Sequence, residues 1–356
     1  MRFGFASRMR IKVSRPLVRM VQQSSALRAP LLARRAADLA KGLDPDTALM
    51  LVLGEISGDA KLAEGTPAAA RRKMAESIAI VEDVPVGDLD VTESEVSGSA
   101  GPIAARVYRP TSLAAPSPGL VYVHGGGWVT GDLDTHDTLC RRIALVGDLC
   151  VISIAPRMAP EHPFPAAIDD TVAAFRDVAG RAEELRLDPA RIGIGGDSAG
   201  GNLSAIVGLE TRSDERKPAL TALLYPCVDA TCRDPSHQSL GQGYLLTADS
   251  IAWYLEHYVG EDASRRKLPR VSPMYVDDLS GAPPALVVNA GFDPLRDEAE
   301  RYWERLKAAG TPAELVRYPA LIHGFLLMTG LSAAALAATE EIARRMGKML
   351  REKKTS

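Results

Sequence analysis

Three stretches of this 356-residue chain set reactive side chains among glycines. Gly196-Asp-Ser-Ala-Gly200 has the G-x-S-x-G spacing of a sharp strand-to-helix turn that lifts a serine hydroxyl above a sheet. Glycine suits the flanking positions because a side chain would collide in so tight a turn. A serine hydroxyl is a weak nucleophile by itself and needs a base within hydrogen-bond reach, oriented by a third group. On a strand–turn–helix scaffold of this kind the order is serine, acid, histidine. His237, His257 and His323 are the histidines after Ser198, and the first two lie in a segment that interrupts the strand pattern. His323, in Tyr318-Pro-Ala-Leu-Ile-His-Gly-Phe325, is the candidate base. Asp293, the first carboxylate after a strand expected at 285–290, is the candidate acid, with helix capping as its alternative role. Asp297 and Glu298 are expected in the first turn of the next helix, where the dipole favours carboxylates.

A second signal is His124-Gly-Gly-Gly-Trp128, directly after an expected strand at 119–123. Glycines let backbone N–H groups approach a substrate and hold the oxyanion of a tetrahedral intermediate. Gly125, Gly126 and Gly127 are the candidate donors, with the N–H of Ala199 beside them. Loss of one such donor typically costs about 2.7–4 kcal/mol in the transition state. No P-loop lysine follows the run and it lacks a G-x-G-x-x-G arrangement, which argues against a phosphate cradle. His124 precedes the nucleophile and is read as a structural residue of the loop. Together these parts describe acyl transfer through a serine, with no metal or organic cofactor required.

Elements that could position these residues alternate from residue 119 onward. Strands are expected at 119–123, 149–155, 191–195, 219–225, 285–290 and 313–318, with helical patterns between them, the signature of βαβ units and a mainly parallel sheet. Several of these strands lack in/out alternation, as strands covered on both faces should. Segments 78–86 and 104–108 read as an antiparallel edge joined through 97–101, which brings the sheet to about eight strands. Residues 1–75 read as helices, and 229–270 as an insertion with its own helical pattern at 251–258. So long a crossover commonly carries a lid. The expected organisation is a catalytic α/β domain at 76–228 and 271–356, capped by 1–75 and 229–270.

With 42 Lys and Arg against 45 Asp and Glu, the net charge of −3 gives no overall pull toward nucleic acid. Cys140, Cys150, Cys227 and Cys232 have no zinc spacing, and a disulfide framework is not expected, though one bridge between Cys227 and Cys232 is open. No apolar run reaches membrane-spanning length, so no stable membrane insertion is expected. The first 37 residues carry nine basic side chains and no acid. Such asymmetry fits a transit peptide or a surface-binding arm, but the expected form is an amphipathic helix, with Ile11, Val13, Leu17, Val18 and Val21 on one stripe and the basic residues opposite. Without a signal-peptide core the cytoplasm is the expected location. An exposed edge at 313–318 would suit a homodimer.

On these residues the chain resembles the bacterial hormone-sensitive-lipase family (family IV) of carboxylesterases over about residues 75 to 350. The matching stretches are His124 to Trp128, Ala159-Pro-Glu-His-Pro-Phe-Pro-Ala166, 196–201, Tyr225-Pro226, Asp293-Pro-Leu-Arg-Asp297 and His323-Gly-Phe325. The resemblance implies an α/β-hydrolase fold with a two-part cap and hydrolysis of short- to medium-chain carboxylic esters. It implies that two of the three glycines act with Ala199 as oxyanion donors. Asp197 places the chain with members that carry Asp before the serine. The basic segment before Asp38 departs from the family pattern. Trp128, Asp197 and Tyr225 are expected at the substrate pocket, with core packing as the alternative for Trp128 and Tyr225. The prolines at 160, 163 and 165 make 161–165 a rigid supporting loop. An amidase, peptidase or lactonase using the same triad, and a non-catalytic binding protein on this scaffold, are the competing readings.

Overall fold

In the computed structural model, residues 5–58, 61 and 63–352 are described. Five helices come first: α1 (Phe5–Gln23), α2 (Ser25–Ala33), α3 (Ala36–Ala40), α4 (Pro45–Ser57) and α5 (Pro67–Val81). The starts of α4 and α5 are written locally. Asp44 and Thr66 accept the N–H groups of Thr47 and Ala69, and a proline occupies the first turn of each helix. The sheet and its helices follow as β1 (Leu89–Gly98), β2 (Gly101–Pro110), β3 (Ser117–Val123), α6 (Asp137–Gly147), β4 (Cys150–Ile154), α7 (Ala166–Gly180), β5 (Leu187–Asp197), α8 (Ala199–Glu210) and β6 (Thr221–Leu224). The chain ends with α9 (Pro235–Ser239), α10 (Ala248–Val259), β7 (Ala285–Phe292), α11 (Arg296–Ala308), β8 (Ala313–Ile322) and α12 (Ala333–Arg351).

Among the described residues eight strands form one sheet in the order β1-β2-β4-β3-β5-β6-β7-β8. β2 runs antiparallel to both neighbours and the remaining pairs are parallel. Every residue of β3 and β4 is buried. Val121, Val123, Ile152 and Ile194 pack with Phe175 of α7 and Ile206 of α8 on one face. Leu120, Tyr122 and Val151 pack with Ile143 of α6 and Met346 of α12 on the other. Both parities of each strand meet helices, which is why the sequence shows no alternation there. The chain leaves β3 toward β4 on one side and reaches β5 on the other, so the carboxyl ends of β3 and β5 form a switch point where open α/β sheets bind ligands.

Two expectations are corrected. Residues 78–81 are the last turn of α5, and the first strand is the later Leu89–Gly98. A short apolar run does not separate strand from buried helix by periodicity. Here Ala70 and Ile78, two turns apart, bury one helical face. The true β1 is an edge strand, mostly polar and partly exposed, with a weak signal of its own. The N-terminal helical region therefore reaches Val81 rather than stopping near 75. The stripe expected on α1 is buried along one edge only. Val21 is buried and Ile11 and Val18 are half-buried, while Leu17 and Val13, about 40° and 80° round the helix from Val21, are exposed.

The segment between β6 and β7 is bonded to the N-terminal helices. Trp253 Nε1 donates to Gly65 O at 3.2 Å, Arg35 Nη2 to Gly243 O at 2.9 Å, and Tyr244 OH to Asp38 Oδ1 at 2.7 Å.

Candidate active site

Val123 at the end of β3 is the register partner of Gly196 near the end of β5, so the glycine loop and the serine turn leave the sheet side by side. The turn is as tight as its glycines imply. A Cβ at Gly196 would stand 2.2 Å from the Val123 carbonyl oxygen, and one at Gly200 would stand 2.0 Å from it. Ser198 itself sits at φ 54°, ψ −115°, a conformation that costs a non-glycine residue about 1–3 kcal/mol. Its N–H donates to Leu224 O at 2.8 Å, and its carbonyl accepts from Asn202 N at 3.0 Å. These bonds at the start of α8 hold the strained residue in place.

The candidate acid and base are aligned the same way. Phe292 and Ile322 are partners at the ends of β7 and β8, so Asp293 and His323 are the next residues on adjacent strands. Asp293 is fully buried; one carboxylate oxygen accepts Leu295 N–H at 2.8 Å and the other lies 2.8 Å from His323 Nδ1. His323 Nε2 lies 2.9 Å from Ser198 Oγ. A carboxylate only accepts, so Nδ1 carries the proton and Nε2 is left to accept from the serine hydroxyl. Asp297 and Glu298 stand in the first turn of α11, as expected. Glu298 points inward and accepts the N–H groups of Val228 and Asp229 at 2.7 and 3.1 Å, and burial pushes its carboxyl well above the usual range.

The three glycines are not equivalent. Gly125 N–H donates to Asp197 Oδ1 at 3.0 Å. Among the described residues nothing accepts the N–H of Gly126 or Gly127, and both line the cavity above Ser198. The N–H of Ala199, the first residue of α8, has no acceptor within the helix. Gly127 has φ 60°, and a Cβ there would stand 2.2 Å from the ring of Tyr254. The amides free to meet a developing oxyanion are thus those of Gly126, Gly127 and Ala199.

Asp197, expected at the substrate pocket, is among the residues that line the cavity, and its buried carboxylate is held by neighbouring groups. Besides Gly125 it accepts Tyr122 OH at 2.8 Å, and His136 Nε2 stands 3.3 Å from it. Burial would raise its pKa, but the charge of His136 and the hydrogen bonds from His136, Tyr122 and Gly125 hold the carboxyl below the ordinary value. His124 lies against this cluster and donates from Nδ1 to Gly125 O at 2.9 Å. Burial and the neighbouring His136 depress its pKa to about 4, so it is neutral at pH 7. Sequence reasoning missed Tyr122 and His136. Tyr122 sits in the middle of an apolar strand and His136 just before α6, and neither belongs to a motif.

A cavity of about 760 Å³ opens over Ser198. Its floor is Gly126, Gly127, Ser198, Ala199 and His323, and its walls are mainly apolar side chains. Val18 and Val21 of α1 and Met74 and Ile78 of α5 form one wall; Leu246 and, on α10, Ile251 and Tyr254 form another. Trp128 is on this wall, stacked parallel on Tyr258 with centroids 4.4 Å apart. Tyr225 is not. It is fully buried behind the base, 4.8 Å from the His323 ring and 5.3 Å from Phe325, so it packs the histidine and forms no pocket wall. In the 161–165 loop, Glu161 meets Arg71 of α5 through two hydrogen bonds of 2.6 and 2.7 Å, which draw its carboxyl down to about 2. Arg71 also donates to Val129 O and Ala159 O, tying α5 to the segment after the glycines.

Among the described residues no group of three or more His, Cys, Asp or Glu side chains is placed to hold a metal ion. Cys227 and Cys232 are both free thiols. No helix of the described residues is long and apolar enough to cross a membrane.

With this geometry in view, residues 120–327 match a family model described as alpha/beta hydrolase fold. The chain is 44% identical over 306 residues to the carboxylic ester hydrolase LipN of Mycobacterium tuberculosis, covering 84% of this chain and 81% of LipN. It is 38% identical over 268 residues to the ethyl acetate hydrolase of Pseudomonas putida, covering 73% of this chain and 83% of that one. Among solved structures, ester-hydrolase EH1AB1 from the metagenome of Lake Arreo superposes with a TM-score of 0.82 at 40% identity, over 86% of this chain and 98% of its own.

Proposed function

The chain belongs to the bacterial hormone-sensitive-lipase-type (family IV) carboxylesterases of the α/β-hydrolase fold, and from that premise we propose how it cleaves its esters and which ones it takes. Ser198 attacks the acyl carbon while His323 Nε2 takes the hydroxyl proton. Asp293 holds the imidazole with Nδ1–H toward itself and steadies the imidazolium. The amides of Gly126, Gly127 and Ala199 receive the oxyanion. His323 then returns the proton to the leaving alcohol, and an acyl-serine remains. A water deprotonated by the same nitrogen attacks it, and collapse of the second tetrahedral intermediate releases the acid and restores Ser198.

The observation that carries this reading is the chain of contacts from Ser198 Oγ through His323 to Asp293, 2.9 and 2.8 Å long, at the floor of an apolar cavity. The mainly apolar walls, formed by α1, α5 and α10, suit short- to medium-chain acyl esters of uncharged alcohols. Helices α1–α5 and the segment carrying α10 then act together as the cap. The test is a series of p-nitrophenyl esters from acetate to palmitate, with wild type beside Ser198→Ala. Turnover peaking at short or medium chains and lost in the variant is the expected result. Undiminished turnover in folded Ser198→Ala would remove the serine from the mechanism.

A further inference from the structure

Nine of the 42 basic side chains and none of the 45 acidic ones precede Asp38, and the hydrolytic mechanism uses none of them. Five of the nine fall on α1. That helix has two working faces. Ser14, Val18 and Val21 line the cavity. Val13, Leu17 and Met20, spaced i, i+4 and i+7, form an outer stripe with exposures of 60, 51 and 51%. Lys12 and Arg19 are exposed beside that stripe, Lys12 lying about 80–100° round the helix from Met20 and Val13. The stripe also runs into the cavity. Leu17 is half exposed and lines it, as does Ile56 of α4 at 58% exposure. An apolar stripe flanked by Lys and Arg on a helix at the surface is the pattern of a helix that lies in a lipid–water interface.

We infer that the outer face of α1 docks on an anionic lipid surface and presents the cavity to lipophilic esters dissolved there. Val13, Leu17 and Met20 enter the acyl boundary while Lys12 and Arg19 meet the anionic headgroups. Arg28, Arg34 and Arg35 pair with Asp46, Glu55 and Asp38, so the cations offered on this face are Lys12 and Arg19. Beyond the first 37 residues the chain carries all 45 acids against 33 basic side chains, an excess that turns the remainder away from an anionic surface. The docking itself is independent of the ester-hydrolase reading; only the identity of what enters the cavity rests on it.

The full-length protein is floated with vesicles of phosphatidylcholine alone and of phosphatidylcholine mixed with phosphatidylglycerol. Wild type is expected to float with the anionic vesicles, to leave the neutral ones unbound and to be released by salt. Lys12→Glu/Arg19→Glu and Val13→Asp/Met20→Asp are each expected to lower vesicle binding by about tenfold or more. Neither pair lines the cavity, so hydrolysis of soluble p-nitrophenyl acetate should stay at the wild-type rate and report correct folding. Wild type that fails to float, binds neutral vesicles equally, or binds no better than the variants overturns the inference. A wild-type dimer that Val13→Asp/Met20→Asp turns into monomers, with no vesicle binding, assigns the face to a second copy of the chain instead. Vesicle binding without turnover of any soluble ester would count against the hydrolase reading and leave the docking intact.

Discussion

Asp197, one residue before Ser198, accepts the N–H of Gly125 at 3.0 Å and so joins the serine turn to the glycine loop through a single carboxylate. The bond selects which glycine amides face the cavity, and Tyr122 and His136 hold the carboxylate from behind. Asp197→Ala is expected to lower kcat by about 10–100-fold, because the loop that presents Gly126 and Gly127 loses its anchor. It should also cost about 1–3 kcal/mol of stability, since buried donors lose their acceptor. Parallel kcat and urea-unfolding measurements check both. Because the native carboxyl is held below its ordinary value of about 3.9, its stabilising contribution is complete above that pH and fades only as pH falls through the lower native value.

His124 gives a pH signature at milder acidity. Its native pKa of about 4 lies below the ordinary histidine value of 6.5, so the unfolded chain binds the proton more readily than the native one. Stability from this group is present above about pH 6.5 and declines as pH falls toward 4. Its share of the loss between pH 7.5 and pH 5 is about 2 kcal/mol. Urea midpoints of wild type and His124→Gln at the two pH values provide the comparison, and the variant should show the shallower decline. An unchanged decline would place the titration elsewhere.

Asp293→Asn keeps an oxygen for Leu295 N–H but offers an amide toward His323 Nδ1, which favours the wrong tautomer. A fall in kcat of about 10⁴ is expected, with the fold retained. Rates on p-nitrophenyl acetate, together with circular dichroism, separate loss of chemistry from loss of structure. A variant with near wild-type turnover would return Asp293 to a helix-capping role.

Two glycine-to-alanine changes should fail in different ways. At Gly127 the new methyl meets the Tyr254 side chain, which can move. Activity is expected to fall about 10²–10³-fold with a modest change in unfolding midpoint, as for loss of one oxyanion donor. At Gly200 the methyl meets the backbone of β3, which cannot move, and a loss of several kcal/mol or failure to fold is expected. Midpoint and kcat measured on both variants distinguish the two cases.

The α/β alternation, the serine turn, the glycine loop, the acid and the base were legible because each is carried by neighbours in sequence: a glycine pair, an apolar run, a fixed chain order. What escaped depends on contacts between distant segments. Tyr122, His136 and Asp197 converge from β3, the residue preceding α6 and the end of β5, and nothing local marks them as partners. Tyr225 directly follows β6 and Trp128 closes the glycine loop after β3, yet one packs behind the histidine and the other lines the cavity. The run at 78–81 misled because four apolar residues fit a strand as well as a buried helical turn, and the capped start of α5 at Thr66 settles it as helix.

The sheet and the cavity walls draw on different parts of the chain. Ser198, Asp293 and His323 each follow the carboxyl end of a strand, β5, β7 and β8, and the last two leave adjacent strands side by side. The surfaces that decide what fits arise largely from α1, α4, α5 and α10, which meet through a few bonds such as that from Trp253 to Gly65. On the proposed function, selectivity and turnover then rest largely on different segments, joined where Tyr254 of α10 packs on Gly127. Drift or directed evolution confined to those helices can change the range of accepted esters while the reaction centre is inherited unaltered, and an exchange of these segments between relatives is a transfer of taste without a transfer of chemistry.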